Sequence, residues 1–366
     1  MKLTKRKANA IGVGTGLLLL LMIVIHGFPS PNDPYFTKQW AQQSKGSGMG
    51  IHAEKMWQIS KRSPMKRDVT VAIIDTGVSF QSNDLAGTQW KNDDEIMSNH
   101  IDDDHNGYVD DDGGWSFVDN APFKESQVES YHGTMCASII TAKHNGYGLE
   151  GVARNIDIHI MPIKALSSEN SFGEGSIKNL VKSIRYADEN GADICNLSLN
   201  TDQYDRALYD AIHSSKMLFV VAAGNNNNFL RINIDKNKLY PASFDLPNVI
   251  TVANMNEEGV LDQTSNYGPG TVDLAAPGAN ICCTTGENDF GYVTGTSFAA
   301  PFVTGVASQI YANKSDITAI EAKHILCDAV TKTKSLQGKC KTGGRLSRIR
   351  DSTRTRKEGH HAKNDI

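Results

Sequence analysis

Leu218-Phe219-Val220-Val221-Ala222-Ala223-Gly224-Asn225 is the stretch on which the reading of the fold turns. Its apolar residues run on without a polar one between them, so a strand made from them must be buried on both faces. That is the condition of a parallel strand covered by helices on either side. Outward from this run the same rhythm repeats. Segments 69–74, 156–163, 192–199 and 249–254 read as further short strands, and 132–142, 176–189, 205–214 and a long segment starting near Ser297 read as helices between them. Strands alternating with helical segments predict an α/β fold with a mainly parallel central sheet and helices on both faces. No internal repeat is visible in the 366 residues, and one large core is expected.

The ends of the chain read differently from its middle. Lys2, Lys5, Arg6 and Lys7 precede an uncharged stretch, 8–25, centred on Leu17-Leu18-Leu19-Leu20-Leu21. This is an export pattern of about 15 apolar residues, between the length of a signal-peptide core and the roughly 17–25 needed to span a bilayer. Residues 1–28 are therefore read as a signal peptide or a signal anchor, with everything beyond Phe28 extracytoplasmic. No A-x-A-like site follows, which favours a retained anchor through residues 8–25. Residues 29–67 form an N-terminal extension, 68–346 the main domain, and 347–366 a flexible basic tail. A net charge of −4 supplies no bulk attraction to nucleic acid, so no nucleic-acid partner is expected, and the chain reads as a monomer. The six cysteines do not form a dense framework; Cys327 and Cys340, flanking a short polar loop, are the one local pair suited to a disulfide.

In open α/β sheets ligands gather beyond the carboxyl ends of the strands. Asp75 directly follows Val71-Ala72-Ile73-Ile74 and precedes Thr76-Gly77, a turn that lets the backbone leave the sheet sharply. His132 opens a helical segment, and Ser297, within Gly295-Thr296-Ser297-Phe298-Ala299-Ala300-Pro301, opens another. A serine hydroxyl is a weak nucleophile unless a base lies in reach and a carboxylate holds that base in one tautomer. These three residues supply such a set. Asn225 and the backbone N–H of Ser297 then supply donors for a developing oxyanion.

Asp75-Thr76-Gly77, His132-Gly133-Thr134, Ala222-Ala223-Gly224-Asn225 and the Ser297 block, in that order, resemble the four signature blocks of the subtilisin family. Asn196-Leu197-Ser198-Leu199, Ser265-Asn266-Tyr267-Gly268, Ala275-Ala276-Pro277-Gly278 and Gly343-Gly344-Arg345-Leu346 resemble its weaker blocks, so the likeness covers roughly 32–346. The resemblance implies a subtilisin-like fold and a serine endopeptidase acting on polypeptides. Asp75 would orient the base, His132 would shuttle the proton, Ser297 would form the acyl-enzyme and Asn225 would complete the oxyanion hole. It also implies a substrate cleft whose edges are Ser198-Leu199-Asn200 with Gly224 on one side and the segment around Phe172-Gly173 on the other. Asn200 departs from the family, which usually has glycine there, and is expected to narrow or polarise the pocket. Cys136, one helical turn after His132, is expected to pack beneath it.

Asp102, Asp104, Asn106, Tyr108 and Asp110 stand at calcium-loop positions 1, 3, 5, 7 and 9, with Gly107 at 6 and Gly113 where an EF-hand has its glutamate. Structural Ca2+ is expected in this incomplete loop. Asp84 matches a calcium ligand of the subtilisin family. Exported subtilisins usually carry a folding prodomain of several dozen residues; here Asn32-Asp33-Pro34-Tyr35 and Gln39-Trp40 already resemble the start of a mature catalytic domain, so folding is expected to be assisted in trans, to proceed unaided with calcium, or to rely on the short stretch 27–67. An acyl-transfer ligase or transpeptidase, and a non-catalytic peptide-binding relative, are the alternative readings.

Overall fold

The structure is a computed structural model that describes residues 33–44, 46–62, 67–167, 174–226 and 230–347. The 1–28 segment, Phe172, Gly173 and the tail beyond Ser347 lie outside the described residues. Helix α1 (Ala53–Arg62) precedes the sheet. The elements that follow are β1 (Val69–Asp75), β2 (Trp115–Ser116), β3 (Ala121–Pro122), α2 (His132–Thr141), β4 (Ile158–Lys164), α3 (Glu174–Glu189), β5 (Ile194–Leu197) and α4 (Arg206–Ser214). Then come β6 (Leu218–Ala222), β7 (Val249–Met255), β8 (Leu274–Pro277), the hairpin β9 (Ile281–Thr284) and β10 (Phe290–Val293), α5 (Thr296–Ala312), α6 (Ala319–Asp328), β11 (Thr331–Lys332) and β12 (Gly344–Arg345).

Ten of these strands form one sheet in the order β11-β12-β8-β7-β6-β5-β1-β4-β2-β3. From β2 across to β12 each neighbouring pair runs parallel, and only the short outer strands β3 and β11 are antiparallel. The period of two along each strand divides the core into two faces. Val69, Val71 and Ile73, with Leu218, Val220, Ile250 and Val252, pack under α2 and α5. Ala72 and Ile74, with Phe219, Val221, Val249 and Ala253, pack under α3 and α4. The expected α/β architecture with helices on both faces is therefore present.

Helix α5 runs through the middle of the first face and is buried at every position except Ser297. Its apolar sequence, Phe298 to Ala312 with only Thr304, Ser308 and Gln309 polar, suits an element packed on all sides. Gly305 lets it approach the chain beyond α2 closely, since a Cβ there would stand 2.6 Å from the Val152 Cβ. On the other face α4 starts at an Asp205 cap whose carboxylate accepts from the Leu208 N–H at 2.8 Å.

Two features differ from the sequence reading. The strand read over 192–199 ends its ladder at Leu197, because Ser198-Leu199-Asn200 turns away to other partners. Strand β8 and helix α6 went unread, since Leu274-Ala275-Ala276-Pro277 lacks the β-branched and aromatic residues that mark a strand. All six cysteines are free thiols, and Cys340 lies against the Gly344 carbonyl at 3.6 Å instead of reaching Cys327.

Candidate active site

The elements that end at the carboxyl edge of the sheet bring Asp75, His132, Ser297 and Asn225 to one place. Asp75 is the last residue of β1 and is buried. Its carboxylate accepts the Thr76 N–H at 2.7 Å and faces His132 Nδ1 with both oxygens at 2.9 Å. An ionised carboxylate can only accept, so Nδ1 carries the proton and Nε2 is left as the basic nitrogen. His132 is the first residue of α2, its ring centroid 5.5 Å from that of Phe298. The helix can start there only because residue 133 is glycine: a Cβ at Gly133 would lie 2.3 Å from the Gly77 carbonyl oxygen and 3.1 Å from the Asp75 Cβ.

Ser297 is the second residue of α5, where backbone N–H groups have no preceding carbonyl to bond. Its hydroxyl donates to the Ser198 carbonyl at 3.2 Å. Its own carbonyl has lost the usual helical donor, because the residue four positions on is Pro301, which has no N–H. The Ser198 hydroxyl fills that place at 2.9 Å. Ser198 in turn accepts from Asn196 Nδ2 at 3.1 Å, and Asn196 Oδ1 accepts from the Thr304 hydroxyl at 2.9 Å. This buried chain of side chains ties α5 to β5 and the segment beyond it at two levels, Ser297 and Thr304.

Asn225 lies three residues past β6 and is exposed. Its Oδ1 accepts the Thr296 N–H at 2.9 Å, which leaves Nδ2 as a donor beside Gly295 at the start of α5. Asn266, fully buried, holds the turn before it: its Nδ2 donates to the Ala223 carbonyl at 3.2 Å and its N–H to the Gly224 carbonyl at 3.0 Å. Nothing local in Ser265-Asn266-Tyr267-Gly268 marks Asn266 for this task, because its burial and its partners at Ala223 and Gly224 arise only in the folded chain. Gly224 adopts φ +85°, a conformation that favours glycine.

Asn200 is not directed to solvent. Its Nδ2 donates to the Ala222 carbonyl at 3.0 Å, across the gap between the ends of β5 and β6. Cys136 lies under the site, its sulfur 3.6 Å from the Ser198 hydroxyl and 3.5 Å from the Ser297 carbonyl. Burial, with the Asp75 charge adding to it, pushes this thiol well above its ordinary range, so it stays protonated and packs.

Of the six residues read as metal ligands, Asp102, Asp104 and Asn106 come together in one group, Asp84 lies in another, and the side chains of Tyr108 and Asp110 turn to other partners. In the Asp-rich loop, carboxylate oxygens of Asp102 and Asp104 come within 4.8 Å of each other and of Glu95, which the sequence reading did not include. Asn106 joins them, donating from Nδ2 to Asp104 Oδ2 at 2.9 Å and to Asp111 Oδ2 at 3.1 Å. Asp110 turns instead to the backbone N–H groups of Asn99 and His100 at 2.9 and 3.1 Å. The Tyr108 ring packs edge-on against Trp115, Phe117 and Tyr186, so only its backbone could serve an ion.

Asp84 belongs to the second group. It is fully buried, accepts the Leu149 N–H at 2.8 Å through Oδ2, and has no partner for Oδ1. Burial, with the charge of Asp33 adding to it, raises its pKa to about 7. Asp33 and Glu150 converge on His144 Nδ1 at 3.2 and 2.6 Å, and burial raises Glu150 to about 8. So many buried carboxylates without matching cations are costly. An oxygen-ligand cation suits both groups.

Topology and the order of these residues along it are those of the subtilisin-like class of α/β proteins. The model of the subtilase family (Peptidase S8) matches residues 66–348, and the chain belongs to that family. Thermitase of Thermoactinomyces vulgaris is 32% identical over 283 residues, covering 76% of this chain and 84% of that protein. The thermophilic serine proteinase of Bacillus sp. (strain AK1) is 30% identical over 283 residues, with coverage of 76% and 59%. Among solved structures, a protease from Pseudoalteromonas arctica superposes with a TM-score of 0.63 at 26% identity, covering 87% of this chain and 97% of that one. The chain spans between 46% and 59% of the length of the first curated relatives it matches.

The close approach at Gly133 gives a direct test. Gly133→Ala forces α2 away from β1, with an overpacking cost of about 1–3 kcal/mol. A lower urea midpoint together with loss of turnover is the expected outcome; a variant with unchanged midpoint and activity would show that the contact does not position His132.

Proposed function

We propose that the chain is a serine endopeptidase that hydrolyses peptide bonds through an acyl-enzyme on Ser297, and that it works outside the cytoplasm, where its cationic and apolar first residues would direct it. The observation that carries this reading is the placement of His132 Nδ1 at 2.9 Å from both oxygens of a buried Asp75, at the same sheet edge as a serine in the first turn of α5. No helix among the described residues is long and apolar enough to cross a membrane, and the segment read as an anchor lies outside them.

In this reading the Ser297 hydroxyl leaves the Ser198 carbonyl for His132 Nε2 and attacks the scissile carbonyl as its proton passes to the imidazole. Asp75 stabilises the imidazolium and keeps the ring in place. Negative charge then develops on the substrate oxygen between Asn225 Nδ2 and the Ser297 N–H, both fixed before the reaction begins. The proton moves on to the leaving amine, and water repeats the sequence to release the acid. The Ser198 carbonyl, vacated by the hydroxyl, becomes an acceptor for a substrate N–H, which fits a peptide added as an extended strand along Ser198-Leu199-Asn200.

Structural Ca2+ is part of the proposal. Glu95, Asp102, Asp104 and Asn106 would hold one ion. Asp33, grouped with His144 and Glu150, would contribute to a second, and the buried Asp84, whose Oδ1 lacks a partner and which feels the charge of Asp33, would join it. Bound calcium would supply no chemistry to the reaction; it would offset carboxylate repulsion and fix the loops that carry these carboxylates.

A fluorophosphonate probe should label the wild type at Ser297 and leave Ser297→Ala unlabelled; absence of labelling in folded wild type would overturn the reading. Asn225→Ala should keep labelling at a reduced rate and lose about 10²–10³ in kcat, the cost measured for such a donor in an enzyme of this same family.

Calcium is tested by pH. Without metal, folded Asp84 keeps a proton that the unfolded chain has lost between 3.8 and about 7, so chelated protein should lose stability as pH rises through that window. Calcium binds the ionised form. Adding it should raise the calorimetric Tm most above pH 7, with Asp84→Asn showing a smaller response. Equal Tm values with calcium and with chelator at pH 7.5 would count against the ion.

A further inference from the structure

We propose that Leu239, with Asn200, closes the pocket for the substrate side chain on the acyl side of the scissile bond, so that the enzyme cleaves after small residues and rejects large apolar or aromatic ones. This rests on the peptidase reading above and names the substrate class of the same site.

The scissile carbonyl must lie between Ser297 and Asn225. With the substrate backbone paired along Ser198-Leu199-Asn200, the side chain that precedes the carbonyl enters the gap where the chain beyond β5 separates from Ala223-Gly224-Asn225 beyond β6. The last ladder pair of these strands is Leu197 with Val221, so the gap opens only past that level. Three side chains occupy it. A Cβ built on Gly224 would stand 2.9 Å from Asn266 Nδ2, 3.0 Å from Leu239 Cδ1 and 3.4 Å from Asn200 Nδ2. Asn266 buttresses the turn, as described above. Asn200 spans the gap through its bond to the Ala222 carbonyl. Leu239 fills what remains.

Leu239 is held there by its neighbours. Thr201 and Tyr240 exchange both backbone hydrogen bonds at 2.7 Å, which clamps the residues next to Asn200 and Leu239 against each other. Ser243 N–H donates to the Leu239 carbonyl at 2.7 Å, and the Leu239 N–H donates to the Ser243 hydroxyl at 3.2 Å. Behind the clamp the rings of Tyr204, Tyr240, Phe244 and Tyr209 pack against one another with centroids 5.0–5.9 Å apart. With its backbone pinned by Ser243 and by the neighbouring bridge, the half-buried Leu239 holds its Cδ1 in the gap, and a phenyl ring could enter only by displacing it. Packed interiors resist added volume. Glycine, alanine and serine side chains need no such space.

The experiment is a peptide library varied at the residue preceding the cleaved bond, read by mass spectrometry on the full chain with calcium present. Wild type should cleave after alanine, serine and glycine with kcat/KM at least about 10-fold above phenylalanine and leucine, within the range by which pocket size discriminates. Leu239→Ala and Asn200→Gly should each shift the ratio of kcat/KM for phenylalanine or leucine over that for alanine by about 10-fold toward the large residues. Fluorophosphonate labelling of each variant reports an intact nucleophile independently of the pocket. Wild-type preference for large residues would overturn the proposal even if neither variant folds, as would variants that label normally and keep the wild-type ranking. Failure of the wild type both to label and to cleave any library member would overturn the peptidase reading instead.

Discussion

A missing hydrogen bond governs the active edge of this protein. Pro301 deprives the Ser297 carbonyl of its helical donor, and the Ser198 hydroxyl, delivered from the segment beyond β5, takes the vacant place. The substitution of a side-chain donor for a backbone donor joins two elements that helix and sheet bonding would otherwise leave independent. Asn196 and Thr304 extend the join one layer deeper into the core. The segment proposed to receive the substrate strand and the helix that carries the serine therefore move as one piece. Preorganisation of this kind is what an electrostatically stabilised transition state requires.

Around that join, each remaining group is placed by steric necessity on one side and charge on the other. Gly133 admits α2 to the end of β1, and the approach is what brings His132 within bonding distance of both Asp75 oxygens. Negative charge is handled differently at the site and away from it. Asp75 is matched by an imidazole and a backbone N–H. Asp84 and Glu150 lie in a group where carboxylates outnumber the basic groups His144 and Arg154, and burial answers by raising their pKa values. Protons or a divalent ion are the two ways to relieve such a cluster, which is why the calcium question and the pH question are the same question here.

The sequence was most readable where a local pattern carries the physics. The uninterrupted run at 218–223 could only be a doubly covered strand, and Asp75, His132 and Ser297 each stand at the first polar position past a strand or at the start of a helix. Ser198 and Leu199 read as part of a strand because apolar continuity gives no sign of where a ladder stops; the partners of Ser198 and Asn200, the Ser297 and Ala222 groups, are distant in sequence. The same reason hid Glu95, Asp33 and Leu239. Asp33 meets His144 across 111 positions, and Leu239 meets Gly224 only because the bridge of Thr201 with Tyr240 folds one segment onto the other. Asp110 shows the opposite error: loop spacing put it among the ligands, while the chain's own N–H groups claimed its carboxylate.

The burial of α5 has a consequence for how such a molecule can age. Ser297 is seated at the mouth of an element whose other residues are all enclosed, so the proposed nucleophile is sheltered from the fraying that opens termini and surface turns. Elements so enclosed open at the high end of the free-energy range of local unfolding. If the chain is the endopeptidase proposed above, it meets its own kind, and cuts would reach exposed loops first. Nicked molecules would then be expected to keep the proposed chemistry for as long as the enclosed helix holds.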